Sequence, residues 1–321
     1  MNDWNRRNLL QGGLGLVLAA PALAAAALDQ QAVSLRGPYL DLTTPEGNVL
    51  AYARIQGSLD PAVTRYGWYA GRVAATRPGE ASRDLMGIIG LGAVRMLPLA
   101  GGAGFQMLRK ELGFFTDLAS GAVIDEWDNP YTGERVEVVH LANPAINARI
   151  EPYRTQQGLY EEVAGSDRRQ PFVLPWQVVG ERAMFEQHAH VWARNPLDPA
   201  IWQRESSGAE IAISDSTTFN VALADVQNPS LKKVESFGNW THQRPWQPWM
   251  LMGQEPGFIQ YNCFTGSAAG LDHVPEQIAT LARERFPDFL QAPTEIKPPE
   301  SSLARYMRTR KPAPPRQRGA E

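Results

Sequence analysis

Turn residues recur about every 8–12 positions through the middle of this chain, and the stretches between them alternate apolar and polar side chains. An alternation of period two belongs to strands half-buried on a sheet, so it constrains the fold more than any other feature. The clearest case is Arg182–Ala193, which follows the tight turn Gly180-Glu181. Strands are also expected over Phe114–Leu118 and Ala122–Trp127 as a hairpin, then over Arg135–Leu141, Pro171–Val179, Glu210–Ala222, Val234–Thr241 and Phe258–Phe264. Tyr66–Arg72 fits either helix or strand, and Gly87–Gly104 reads as a flexible Gly-rich loop. One helix is legible near the end, over Pro275–Phe286. There Ile278, Leu281, Ala282 and Arg285 follow a 3.6-residue period and Pro287 stops it. The expectation is a mainly β, antiparallel barrel-like or sandwich domain spanning 28–292, with a C-terminal helix.

Two terminal segments fall outside that body. In Met1–Ala27, Arg6-Arg7 precede the apolar run Gly12–Ala20, and a small-residue exit follows. The paired arginines and the mildly apolar run point to a twin-arginine signal, hence to the Tat translocase as an export partner and to the periplasm. The apolar run is too short for a permanent membrane span. At the other end, 293–321 is dense in proline and charge and is expected to be a disordered tail.

Composition excludes several functions. The formal charge of -3 offers no basic surplus for nucleic acid. The single cysteine, Cys263, cannot form an internal disulfide, an iron–sulfur site, a Cys-type zinc site or a haem attachment. It reads as an inert buried thiol. No P-loop, G-x-G-x-x-G unit, G-x-S-x-G elbow or H-E-x-x-H is present, so no cofactor motif is legible.

Three constellations carry candidate chemistry. The first is Glu186-x-His188-x-His190-x-Trp192-x-Arg194, whose members share one strand face. If that face lines a cavity, His188 and His190 serve as acid/base groups, because imidazole titrates near ambient pH. Two imidazoles pointing one way are also a metal pair, for which His140, His242 or Glu186 could supply a third ligand. The second runs from Asp125 through Trp127, Asn129 and Tyr131 to His140. Its Asp, Asn, Pro and Gly suffice for turns, whereas Trp127 and Tyr131 exceed what turns need. The third is Trp240-Thr241-His242-Gln243-Arg244-Pro245-Trp246-Gln247-Pro248-Trp249. Six of the nine tryptophans fall between Trp176 and Trp249, which suits a pocket for an aromatic guest as well as it suits a core. Arg244, or Arg194, could hold a carboxylate or phenolate oxygen.

The stretch Trp127-x-Asn129-Pro130-Tyr131-Thr132-Gly133-Glu134, then Val138-x-His140-x-x-Asn143-Pro144, resembles a family catalogued as domain of unknown function 1838. Trp240–Gly253 and Tyr261 look like its second block, and the resemblance extends over about Val33–Leu290. It implies an exported, β-rich domain and supplies no catalytic assignments. Three functions therefore stay open. One is a cofactor-independent periplasmic enzyme of lyase, isomerase or hydrolase type acting on a hydrophobic aromatic or polycyclic small molecule. Its acid/base groups would be His188 and His190, with His140 or His242 assisting. Trp127, Tyr131, Trp192, Trp240, Trp246, Trp249 and Tyr261 would form its walls. The others are a non-catalytic carrier of such molecules and a metalloenzyme with His188 and His190 as ligands.

Overall fold

Nine antiparallel strands form one sheet, curled into a half-barrel. The computed structural model describes residues 35–156 and 166–316, so the leader Met1–Ala27 lies outside the described residues. In chain order the sheet uses β1 (Arg65–Thr76), β2 (Arg83–Pro98), β3 (Phe105–Thr116), β6 (Leu141–Ile150), β9 (Gln177–Val179), β10 (Arg182–Arg194), β11 (Glu210–Ala222), β12 (Ser236–Arg244) and β13 (Phe258–Ala268). Two small hairpins stand apart: β4 (Glu126–Asp128) with β5 (Arg135–Glu137), and β7 (Tyr153–Gln156) with β8 (Ser166–Pro171). Among the described residues the helices longer than a single turn are α1 (Pro45–Gln56), α2 (Glu276–Arg285) and α3 (Ser302–Thr309), and Leu223–Val226 adds one turn after β11.

The topology is two meanders joined at one seam. Strands β1, β2, β3 and β6 form one, β9 to β13 the other, and β1 pairs with β13 from Tyr66↔Ala268 to Thr76↔Phe258. On the outer face, Ile278, Ala279 and Ala282 of α2 cover Leu91, Leu112 and Phe114. The inner face is filled at both ends. One plug is built from α1 with Phe172, Leu174 and Trp176. The other is built from Trp246, Trp249, Met250, Met252 and Tyr306.

Several sequence expectations change. Tyr66–Arg72 is strand, within β1. Gly87–Gly104 is mostly strand β2, with only a short turn before β3. The glycines there serve packing. Tyr69 lies across β2 and β3, and a Cβ at Gly90 or Gly113 would overlap its ring or hydroxyl. That hydroxyl donates to the Leu112 carbonyl at 3.0 Å, so the ring is pinned flat on the sheet. The hairpin expected at Phe114–Trp127 shrinks to a single bridge, Thr116↔Val123, and Glu126–Asp128 pairs with β5 instead. Of Pro171–Val179 only Gln177–Val179 joins the sheet. Asn48 of α1 captures the rest by accepting from Leu174 N–H (3.0 Å) and Trp176 Nε1 (2.7 Å).

Part of the tail also differs from expectation, since Ser302–Thr309 is helix α3. Ser301 caps α3 by accepting from Ala304 N–H at 3.1 Å, and Tyr306 is buried against Trp202. Arg310 grips Glu137 through two contacts of 2.7 and 2.6 Å. A Pro- and charge-rich segment cannot build its own core, yet it can lay one apolar side chain into a core already made.

Gly90→Ala tests the account of β2. The added methyl must displace the Tyr69 ring, so the variant should lose about 1–3 kcal/mol in urea unfolding, with its midpoint lowered and its slope unchanged. Combining it with Tyr69→Ala should return part of that loss.

Candidate functional site

Glu186, His188, His190, Trp192 and Arg194 share one face of β10, as the alternation requires, and that face points to solvent. The reason lies on the opposite face, where Ala183 and Phe185 are committed to the α1 plug and Val191 is also buried. Outward, Trp192 is 72 % exposed and its Nε1 donates to Glu210 at 2.6 Å. His190 Nδ1 lies 2.9 Å from Ser214 Oγ, and Ser216 donates to Glu186. The expectation that His188 and His190 line an interior cavity is therefore corrected, and Arg194 and Trp192 leave the interior with them. Among the described residues no three His, Cys, Asp or Glu side chains are grouped to hold a metal ion.

The interior chemistry comes from the next strands. Asp215 of β11 stands opposite Ala189 of β10 and His242 of β12, so it faces inward. Its Oδ2 is 2.7 Å from His242 Nδ1 and accepts from Trp240 Nε1 at 2.9 Å. A carboxylate can only accept, so Nδ1 carries a proton, and in the neutral imidazole that leaves the lone pair on Nε2. Nε2 has no hydrogen-bond partner among the described residues. Aromatic rings box the dyad: Trp240 sits 5.1 Å from Tyr69 and 5.5 Å from Tyr261, and His242 meets Tyr261 edge-on at 5.5 Å. Burial pushes the Tyr261 hydroxyl up to about 12, despite the opposing charge of Arg244. It stays protonated and accepts from Gln247 Nε2 at 2.6 Å. Burial likewise pushes the Cys263 thiol up to about 12, so it stays a thiol.

Arg244 follows on the same face of β12, two residues beyond His242. Its guanidinium has neither a hydrogen bond nor an ion pair among the described residues, and its Nε is buried without an acceptor. The indole Nε1 of Trp249 and the Nε of Arg109 are also buried without an acceptor among the described residues.

The other meander supplies a second polar pair. Arg109 meets Glu111 at 3.0 Å on β3, and Glu111 accepts from Asn143 Nδ2 at 3.3 Å. Glu111 holds the Arg109 guanidinium more firmly protonated, against the penalty of burial, and the field of Asp215 reaches it too. Asn143 in turn accepts from Ser302 N–H (2.6 Å) and Oγ (2.8 Å), which ties α3 to the site. Tyr52 of α1 donates to Gln187 of β10 at 3.0 Å and spans the concavity at its other end. Sequence reasoning missed Asp215, Arg109 and Glu111. The available signal was an acid at an inward position of β11, between Ile213 and Thr217, where an apolar residue is the rule.

Two of the three constellations do meet. Asn129 donates to the Met250 carbonyl at 2.8 Å, Trp127 packs edge-on against Trp249 at 5.9 Å, and Tyr131 packs on Trp246 at 5.6 Å. Trp246 and Trp249 are buried, so this cluster floors the concavity as a plug. His140 is structural. Its Nδ1 accepts from Phe115 N–H at 3.2 Å where β3 has run past β6, and its Nε2 faces Asp125 at 3.4 Å. Arg285 of α2 holds Asp125 by contacts of 2.6 and 3.0 Å.

A family model described as Protein of unknown function (DUF1838) matches residues 63–311, from just before β1 to just after α3. No curated relative matches the chain. Among the described residues no helix is long and apolar enough to cross a membrane.

The structural role of His140 has a pH signature. Burial lowers its pKa from the usual histidine value, with Asp125 opposing more weakly. The unfolded chain therefore binds the proton more readily than the folded one. The stability His140 contributes is complete above about pH 6.5 and falls as pH drops toward its lowered folded value. His140→Asn keeps an acceptor for Phe115 N–H and cannot titrate. Between about pH 7 and about pH 5, urea melts should show the wild type losing more stability than this variant. Parallel losses would mean that His140 titrates as freely folded as unfolded.

Proposed function

We propose that this chain, which belongs to the DUF1838 family of proteins of unknown function, is a small-molecule enzyme whose active site is the half-barrel concavity. The observation that carries the reading is the Asp215–His242 dyad, whose Nε2 is unengaged among the described residues, on the same strand face as Arg244, a cation without a partner among them. Asp215 fixes the imidazole tautomer and steadies the imidazolium that forms when Nε2 takes a proton. Arg244 neutralises an oxygen anion on the substrate, and the half-buried ring of Trp240 offers an apolar wall for a cyclic body. Proton abstraction next to a carboxylate or phenolate is the shared first step of the lyase and isomerase chemistries such a site supports, and an activated water would make it hydrolytic. The chain's own residues carry these steps. The twin-arginine leader of the sequence supports export, so the substrate would be met in the periplasm.

The test uses the mature protein with a panel of aromatic and polycyclic carboxylates and phenols, reading tryptophan fluorescence for binding and solvent deuterium uptake by NMR for proton transfer. His242→Asn should reduce turnover by about 10²–10⁴-fold with KM little changed. Arg244→Gln should chiefly raise KM. Tight binding without proton exchange in the wild type would make the protein a carrier, and full activity in His242→Asn would remove the dyad from the mechanism.

A further inference from the structure

The other face of these same strands has a different chemistry. On the outer side of β10, β11 and β12, His190, Ser214 and Gln243 stand abreast. One step along, His188, Ser216, Thr241 and Asn262 form a second row that reaches β13. Strands about 4.8 Å apart, with same-face side chains about 6.6–6.8 Å apart, set these groups on a regular grid of donors and acceptors. From β10 to β13 the two rows contain no acid, lysine or arginine; Glu186, one step beyond, accepts from Ser216, and on β1 Arg72 stands beside Asn262 and pairs with Asp84. An exposed aromatic stands at each diagonal corner: Trp192 on β10 and Phe264 on β13, both 72 % exposed. Beside Trp192 the surface sinks into a cleft of about 290 Å³ lined by His190, Ser214 and Gln243.

We propose that this face binds a neutral carbohydrate chain. A sugar presents hydroxyls around its rim and an apolar C–H face, and it needs side-chain hydroxyls, amides and imidazoles beside an aromatic platform. Trp192 is held for that use, because its Nε1 bond to Glu210 fixes the indole plane while leaving the ring in solvent. His190 engages Ser214 through Nδ1, so Nε2 remains for a ligand hydroxyl. Nucleic acid or another anionic polymer would need Lys or Arg across the grid, whereas arginines stand only at its edges, Arg72 paired with Asp84 and Arg194 opposite Glu210. A protein partner would need an apolar centre, whereas the centre here is polar and its two aromatics lie at opposite corners. Strand faces that bind oligosaccharides are a known use of β-sheet architecture. The surface is separate from the concavity, on the reverse side of β10–β13.

The test is isothermal calorimetry of the mature protein with cellohexaose, maltohexaose and chitohexaose, with co-sedimentation on insoluble cellulose and chitin. At least one sugar should bind. Trp192→Ala should weaken that binding at least about tenfold, as should the double change Ser214→Val with Gln243→Leu. Circular dichroism should show both variants folded, since every altered side chain is at least partly solvent-exposed. Absence of binding to all five sugars at millimolar concentration overturns the proposal, as does unimpaired binding by Trp192→Ala. Binding that survives Trp192→Ala yet is lost on Arg244→Gln places the sugar in the concavity and also overturns it. Selective capture of heparin in place of the neutral sugars would assign the face to an anionic polymer instead.

Discussion

The pairing of β1 with β13 is the interaction on which the rest of the molecule depends. Every other neighbour in the main sheet comes from its own meander, whereas this seam joins residues nearly two hundred positions apart. It tolerates no side chain at Gly71, where a Cβ would overlap the Asn262 carbonyl across the pair. Closing it sets Tyr69 of the first meander against Trp240 of the second. The same closure brings the Arg109–Glu111 pair within electrostatic reach of Asp215, so both halves contribute polar groups to one concavity.

The concavity is polar in the middle because its ends are not. The α1 plug and the Trp246–Trp249 plug take up apolar surface at either end and leave a belt of Asp215, His242, Arg109 and Glu111 between them. Charged groups in such a place must be paired, since an unpaired buried polar group costs about 1–3 kcal/mol. Asp215 meets that demand with two donors, and Glu111 with Arg109 and Asn143. The guanidinium of Arg244 has no such partner among the described residues, which is why it marks the candidate site. The chain Ser302–Asn143–Glu111–Arg109 also carries the C-terminal segment into this economy, so the last helix supports the interior.

Much of the strand pattern was legible. β11 occupies Glu210–Ala222 as the alternation requires, and β10 extends the expected Arg182–Ala193 by a single residue. The helix at Glu276–Arg285 follows its 3.6-residue period to the proline that ends it. The losses have local causes. Gly-rich β2 looked like a loop because the ring that covers Gly90 comes from Tyr69, on another strand. The tail looked disordered because Tyr306 finds its core partner, Trp202, about a hundred residues away.

The sequence by itself determined which side chains share a face. Period two placed Glu186, His188, His190 and Trp192 together, and likewise Trp240, His242 and Arg244. It could not determine which of those faces is interior, because alternation is symmetric between the two sides of a strand. Burial of Phe185 and Val191 turned the first set outward, and the pairing of β11 with β12 turned the second inward. Only the tertiary structure could decide that the inward histidine held by a carboxylate is His242. Its partner Asp215 lies 27 residues away in sequence and meets it solely through cross-strand register.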